Sequence, residues 1–226
     1  MKLYNFGWGP YPRRITIYLA EKGITDLELV EVEFPHRPEL WPVGFLSSLN
    51  PAHSLPVLDT GSGLLIGQSI AILEYLEERY PVPNMLGATP EDRAITREFV
   101  SIFDEATSFF GLWARQGSPV GADRNRQDVR AATFGAERYA SKLRVGEAKL
   151  VGPFLHGTSP TIADCVAAAL IEFTNQFYGV PVPADCPKLI EWYSRMNKRA
   201  SMSPPEYPPE MLRGARTLQE HTQIFL

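Results

Sequence analysis

Residues 50–76 read Asn50-Pro51-Ala52-His53-Ser54-Leu55-Pro56-Val57-Leu58-Asp59-Thr60-Gly61-Ser62-Gly63-Leu64-Leu65-Ile66-Gly67-Gln68-Ser69-Ile70-Ala71-Ile72-Leu73-Glu74-Tyr75-Leu76. Two short apolar runs, 56–58 and 64–66, flank the turn-rich stretch 59–63, which is the pattern of an antiparallel hairpin. From Ser69 the period changes. Ile70, Leu73 and Leu76 recur at helical spacing until Pro81, so a helix over 69–80 follows the second strand directly. The strand-to-helix junction therefore falls on Gln68-Ser69, where the first N–H groups of a helix lack intrahelical partners.

Upstream, residues 3–6 are apolar-rich and meet Gly7-Trp8-Gly9-Pro10, so they form a short buried strand. Pro12 suits the first turn of a helix, which runs through Ile15, Tyr18 and Leu19 and stops at Gly23. Residues 27–34, rich in Val and Leu, predict a second strand, and 35–50, with Pro35, Pro38 and Pro42, a loop with at most a short helical piece. A helix between two strands implies a parallel pair with a right-handed crossover.

After a Pro/Gly-rich linker over 81–90 the strand signals fade. Thr89-Pro90-Glu91-Asp92 has the form of a capping box that opens a long helix towards Trp113. Residues 123–150 predict a second charged, alanine-rich helix. Thr161-Ile162-Ala163-Asp164 is another cap signal, ahead of an apolar run to Phe173, and Leu189, Trp192, Tyr193 and Met196 set a further helix over 188–199. The proline-rich tail from Ser203 predicts irregular packing. The expected fold is an α/β domain over 1–80, a linker over 81–90, and an all-α domain with an irregular tail over 91–226.

Composition narrows the function. The chain has 226 residues, 44% of them hydrophobic and 21% charged, with a net charge of −4. That balance argues against disorder and against a general nucleic-acid binder. The two cysteines, Cys165 and Cys186, are widely separated, with no metal-ligand spacing around them, so neither a disulfide scaffold nor a metal site is predicted. No apolar run is long enough to span a membrane, and residues 1–6 do not have the form of a signal peptide, so a cytoplasmic protein is expected.

Three motifs bring in a resemblance. Residues 50–58 resemble the NPxxxVPVL segment of cytosolic glutathione transferases, 67–76 resemble their E/Q-S-x-A-I-x-x-Y-L segment, and 161–164 their S/T-x-x-D box; the helix ending Ala20-Glu21-Lys22-Gly23 also fits. The resemblance covers roughly 1–200 and implies a thioredoxin-like N-terminal domain followed by all-α structure. It implies glutathione as co-substrate, a small apolar electrophile, a homodimer and a detoxification role. It also implies a cis Leu55-Pro56 bond that leaves the Leu55 backbone to pair with glutathione like an added strand. Gln68 and Ser69 would take the γ-glutamyl carboxylate at the helix start, and His53 and Ser54 flank the same groove.

The thiol-activating group departs from the pattern. Where many members carry Ser or Cys before the first helix, this chain has Gly9. Between Gly9 and Pro12 only Tyr11 carries both an N–H and a hydroxyl, which makes it the candidate thiolate donor, with Arg13 and Arg14 adding positive charge. Tyr4, near the tyrosine of other classes, is more simply a core aromatic. Trp8, Phe109 and Trp113 are candidates for an apolar electrophile pocket, although aromatics at helical spacing are usually core. The lost donor at Gly9 also allows a rival reading, a non-catalytic glutathione-binding or protein-interaction module of the same fold.

Overall fold

The computed structural model describes residues 1–32, 43–120, 122 and 126–226. The chain divides into two units, Met1–Met85 and Leu86–Leu226.

In the first unit, β1 (Lys2–Asn5), α1 (Pro10–Lys22) and β2 (Glu28–Glu31) form the expected crossover, with Leu3 paired to Leu29 in a parallel ladder. Gly23 ends α1 in the left-handed region (φ 68°), which glycine enters without steric cost. A short α2 (Phe45–Leu49) is the helical piece allowed for within 35–50; the rest of that loop up to Pro42, and the end of the second predicted strand, lie outside the described residues. The hairpin is present as β3 (Val57–Asp59) and β4 (Leu65–Gly67), and α3 (Ser69–Arg79) follows. The sheet order is β2-β1-β3-β4, with β3 antiparallel to β1 and β4 antiparallel to β3. Ile72, Leu73 and Leu76 carry the buried stripe of α3, with Ile70 only half-buried.

A buried ionic network joins the end of α1 to the end of α3. Lys22 Nζ lies 2.8 Å from Glu77 Oε2, and the Tyr18 hydroxyl donates to the same oxygen at 2.7 Å. Lys22 also donates to the Tyr80 carbonyl at 2.6 Å and to the Pro83 carbonyl. Glu77 Oε1 accepts the Met85 N–H at 2.7 Å. These bonds hold the first half of stretch 81–90 onto the first unit.

The second unit is helical. The Thr89 capping box opens α4 (Pro90–Gly117), with the Asp92 N–H donating to Thr89 Oγ1 at 3.1 Å and the Thr89 N–H to Asp92 Oδ2 at 3.2 Å. Helix α5 (Val129–Lys149) packs on α4 at backbone contact: a Cβ on Gly135 would stand 2.7 Å from the Trp113 nitrogen. Residues 123–125 of the predicted second helix are outside the described set. Every residue of α6 (Ile162–Glu172) is buried. In its first turn Asp164 accepts from the Thr161 N–H (2.8 Å), the Thr161 hydroxyl (2.8 Å), the Leu155 N–H (2.9 Å) and Trp192 Nε1 (2.8 Å). Burial raises the Asp164 pKa, and those four donors oppose the rise.

A π-helical turn (Phe173–Phe177) extends α6, and α7 (Pro187–Met196) follows. The tail departs from expectation. After the proline-rich stretch 203–208 it forms α8 (Pro209–Ala215) and α9 (Leu218–Thr222). Pro209 sits in the first turn of α8, where a missing N–H costs nothing, and the residues after it are free of proline. Among the described residues no helix is long and apolar enough to cross a membrane.

Candidate functional site

The loop before α1 is shaped by its glycines. Glu31 Oε2 on β2 accepts the Gly7 N–H at 3.1 Å, and the Gly9 N–H closes a turn on the Phe6 carbonyl at 3.0 Å. A Cβ on Gly9 would stand 2.9 Å from Cδ1 of Phe6, whose ring lies 4.4 Å from that of Trp8. Glycine at position 9 is thus favoured by packing. Gly9 caps α1 without a side-chain bond, and Pro10 and Pro12 have no N–H, so Tyr11 holds the one amide donor of the first three helical positions. The Tyr11 side chain is 37% exposed.

Across the sheet, the Leu55-Pro56 bond is cis, as the resemblance implies. Val57 pairs with Gly67 at the end of the hairpin ladder, so the chain leaves β3 backwards into Pro56 and leaves β4 forwards into Gln68 and Ser69 at the same end of the sheet. Asn50 braces this corner. Its Nδ2 donates to the Ser54 carbonyl (3.0 Å) and Oγ (3.1 Å), and it would lie 3.1 Å from a Cβ on Gly67. Gln68 has φ 69° and ψ 115°, a conformation that costs about 1–3 kcal/mol for a residue with a side chain. No side chain caps α3, so the helix begins with its N–H groups available for an anion.

The structure brings Leu55, Pro56, Gln68 and Ser69 into one corner, with exposed Ser54 held there by Asn50. His53, also exposed, has φ 52° in the same loop. Tyr11 and Ser69 are joined by Arg14, which the sequence pattern offers only as added positive charge. Arg14 is 0% exposed, donates from Nη1 to Ser69 Oγ at 3.1 Å, and lies 4.7 Å from the centre of the Tyr11 ring. Arg13, the predicted partner of Tyr11, instead places Nη1 3.4 Å from Thr16 Oγ1 on its own helix. Tyr4, half-buried, packs edge-on against Phe45 with ring centres 5.9 Å apart.

The two aromatic candidates on α4 part company. Phe109 is half-buried, 6.0 Å from the Phe134 ring. Trp113 is a correction: it is 0% exposed, its Nε1 donates to Thr222 Oγ1 at 3.3 Å, and its ring packs 5.7 Å from Phe110, so it is a core residue with no surface to offer a ligand. Neither cysteine supplies a thiolate. Cys165 is buried, and burial together with the Asp185 and Glu147 carboxylates pushes the Cys186 thiol up to about 11.

Comparison with known proteins identifies the family. Residues 8–79 match the family model of the glutathione S-transferase N-terminal domain, and 123–200 that of the C-terminal domain. The chain is 31% identical to maleylpyruvate isomerase of Ralstonia sp over 183 residues, covering 78% of this chain and 84% of that protein. It is 29% identical to glutathione S-transferase 2 of Saccharomyces cerevisiae, covering 89% and 88%. The crystal structure of a glutathione S-transferase domain-containing protein from Marinobacter aquaeolei superposes with a TM-score of 0.79 at 28% identity, covering 90% and 100%. The chain belongs to the cytosolic glutathione S-transferase superfamily.

Proposed function

We propose that this chain is an enzyme that binds glutathione and uses its thiolate against a small apolar electrophile. The observation that carries the reading is the uncapped start of α3 at Ser69, at the end of the hairpin where the cis Leu55-Pro56 bond enters β3. The γ-glutamyl carboxylate meets Gln68, Ser69 and the helix N–H groups. The peptide backbone runs beside Leu55-Pro56 as an added strand, and His53 and Ser54 flank it. The thiol lies at the first turn of α1, where Tyr11 donates to the anion and Arg13 adds positive charge. Trp8, in the same unit as Tyr11, is an apolar side chain offered to the electrophile.

Likeness to a protein named maleylpyruvate isomerase favours one variant of this chemistry. The thiolate adds to an electron-poor cis double bond, the new single bond rotates, and elimination returns both thiolate and trans alkene. Glutathione is then not consumed. Assays with a chloronitrobenzene, a glutathione-capped disulfide and a cis-enedioate separate transfer, reduction and isomerisation. Turnover of none of them alongside tight glutathione binding would favour the non-catalytic module.

Ser69→Ala removes one hydrogen bond to a carboxylate and should weaken glutathione binding by about 1.5–3 kcal/mol in calorimetry. Unchanged affinity refutes this placement of the tripeptide. The proposal includes a symmetric homodimer in the cytoplasm, the commonest oligomer among soluble proteins; light scattering should return twice the chain mass, and a monomer at micromolar concentration removes that part.

A further inference from the structure

A serine hydroxyl has one hydrogen to donate and two lone pairs to accept with, whereas a guanidinium only donates and stays charged at any pH a folded protein meets. Arg14 Nη1 fills a lone pair of Ser69 Oγ at 3.1 Å, in a place where the serine is 4% exposed and the arginine 0%. The hydroxyl hydrogen therefore cannot be directed at Arg14 and is free to serve another acceptor. The same guanidinium lies 4.7 Å over the Tyr11 ring, three positions back on α1, within cation–π range. One buried cation thus touches the first turn of α1 and the first residue of α3.

Resting on the glutathione reading above, we infer that Arg14 is a positioning and specificity residue: it turns the Ser69 hydroxyl into a donor towards the ligand, and so makes the α3 start select a carboxylate. Its charge adds permanently to the positive end of the helix. A neutral carboxamide of the same shape turns N–H groups towards those donors and gains nothing from the charge. Arg14 acts through Ser69 and Tyr11, without touching the ligand.

The test is calorimetry on the whole protein with two ligands, glutathione and its analogue in which the glutamyl α-carboxylate is a carboxamide. The unmodified protein should prefer glutathione by about 10- to 100-fold, the span of a lost charge-assisted bond. Arg14→Met should lose most of that preference, because glutathione weakens while the analogue changes little. Arg14→Lys, which keeps the charge but cannot stack a planar fork and donate at once, should retain part of it. A purely structural role would weaken both ligands together and leave their ratio intact. A folded Arg14→Met with the original ratio overturns the inference, and where that variant does not fold, an unchanged ratio in Arg14→Lys does so. Failure of the unmodified protein to bind glutathione would instead overturn the reading of the site itself.

Discussion

Glu77→Ala should lower stability by about 3–5 kcal/mol in urea unfolding followed by circular dichroism, the usual cost of removing one partner from a buried ion pair. Glu77 is the acceptor on which the lower half of the first unit converges. Without it, the Lys22 ammonium, whose side chain is 0% exposed, loses its counter-charge. The Tyr18 hydroxyl and the Met85 N–H lose their acceptor in the same step. Lys22 keeps the Tyr80 and Pro83 carbonyls, but neither carries a compensating charge. Because the damage is a stranded charge, removing both charges should be far milder. A Lys22→Met/Glu77→Leu protein should recover most of the loss, since apolar groups of similar volume often replace a buried pair at little cost. A Glu77→Ala loss below about 1 kcal/mol, as for an exposed pair, would show that the network contributes little.

Tyr11→Phe should slow glutathione conjugation by about 10²–10³-fold, the usual effect of deleting one preorganised donor to a developing or resident anion. A free thiol titrates near about 8.5 and is mostly protonated at neutral pH, so the protein must favour the anion. The substitution isolates the hydroxyl. Phenylalanine keeps the amide N–H at this position and keeps a ring for Arg14 to lie over, so the contact between α1 and α3 survives. The ultraviolet titration of bound thiolate should move to higher pH in the variant. If rate and titration both stay in place, the hydroxyl is not the donor, the amide of Tyr11 or the side chain of Tyr4 takes its place, and Tyr4→Phe is the next variant.

The N-terminal fold was legible because its boundaries are written in glycine and proline. Gly23 and Gly61 each stop or turn the chain with φ near 70–80°, and Pro81 follows the last residues of α3. Caps were equally readable at Thr89, where side chain and spacing specify the local structure. The π-helical turn at Phe173–Phe177 has no such mark: the rings of Phe173 and Phe177 stack 5.3 Å apart within an aromatic cluster, a tertiary effect that local pattern does not carry. Helices α8 and α9 were masked by Pro204, Pro205, Pro208 and Pro209 just ahead of them.

The site was legible in its backbone frame and less so in its side chains. Leu55, Pro56, Gln68 and Ser69 flank the same end of the hairpin, whose two strands and turn the sequence pattern predicts. Choosing between Arg13 and Arg14 requires the rotational phase of α1, since neighbours on a helix point about 100° apart. That phase is set by how α1 packs, and it sends Arg14 to Ser69. Trp113 failed for a related reason: helical spacing marks an aromatic face, but Thr222 and Phe110, brought in by folding, decide that the face is closed.

The contact between Gly9 and the Phe6 ring has an evolutionary consequence. A single substitution at Gly9 would install a cysteine at this turn. Here the new Cβ would collide with a ring already packed against Trp8, so Phe6 must move or shrink as well. A thiol at this turn is therefore coupled to the placement of an aromatic ring. With both native thiols buried, the first turn of α1 is left without a sulfur of its own for oxidants to attack.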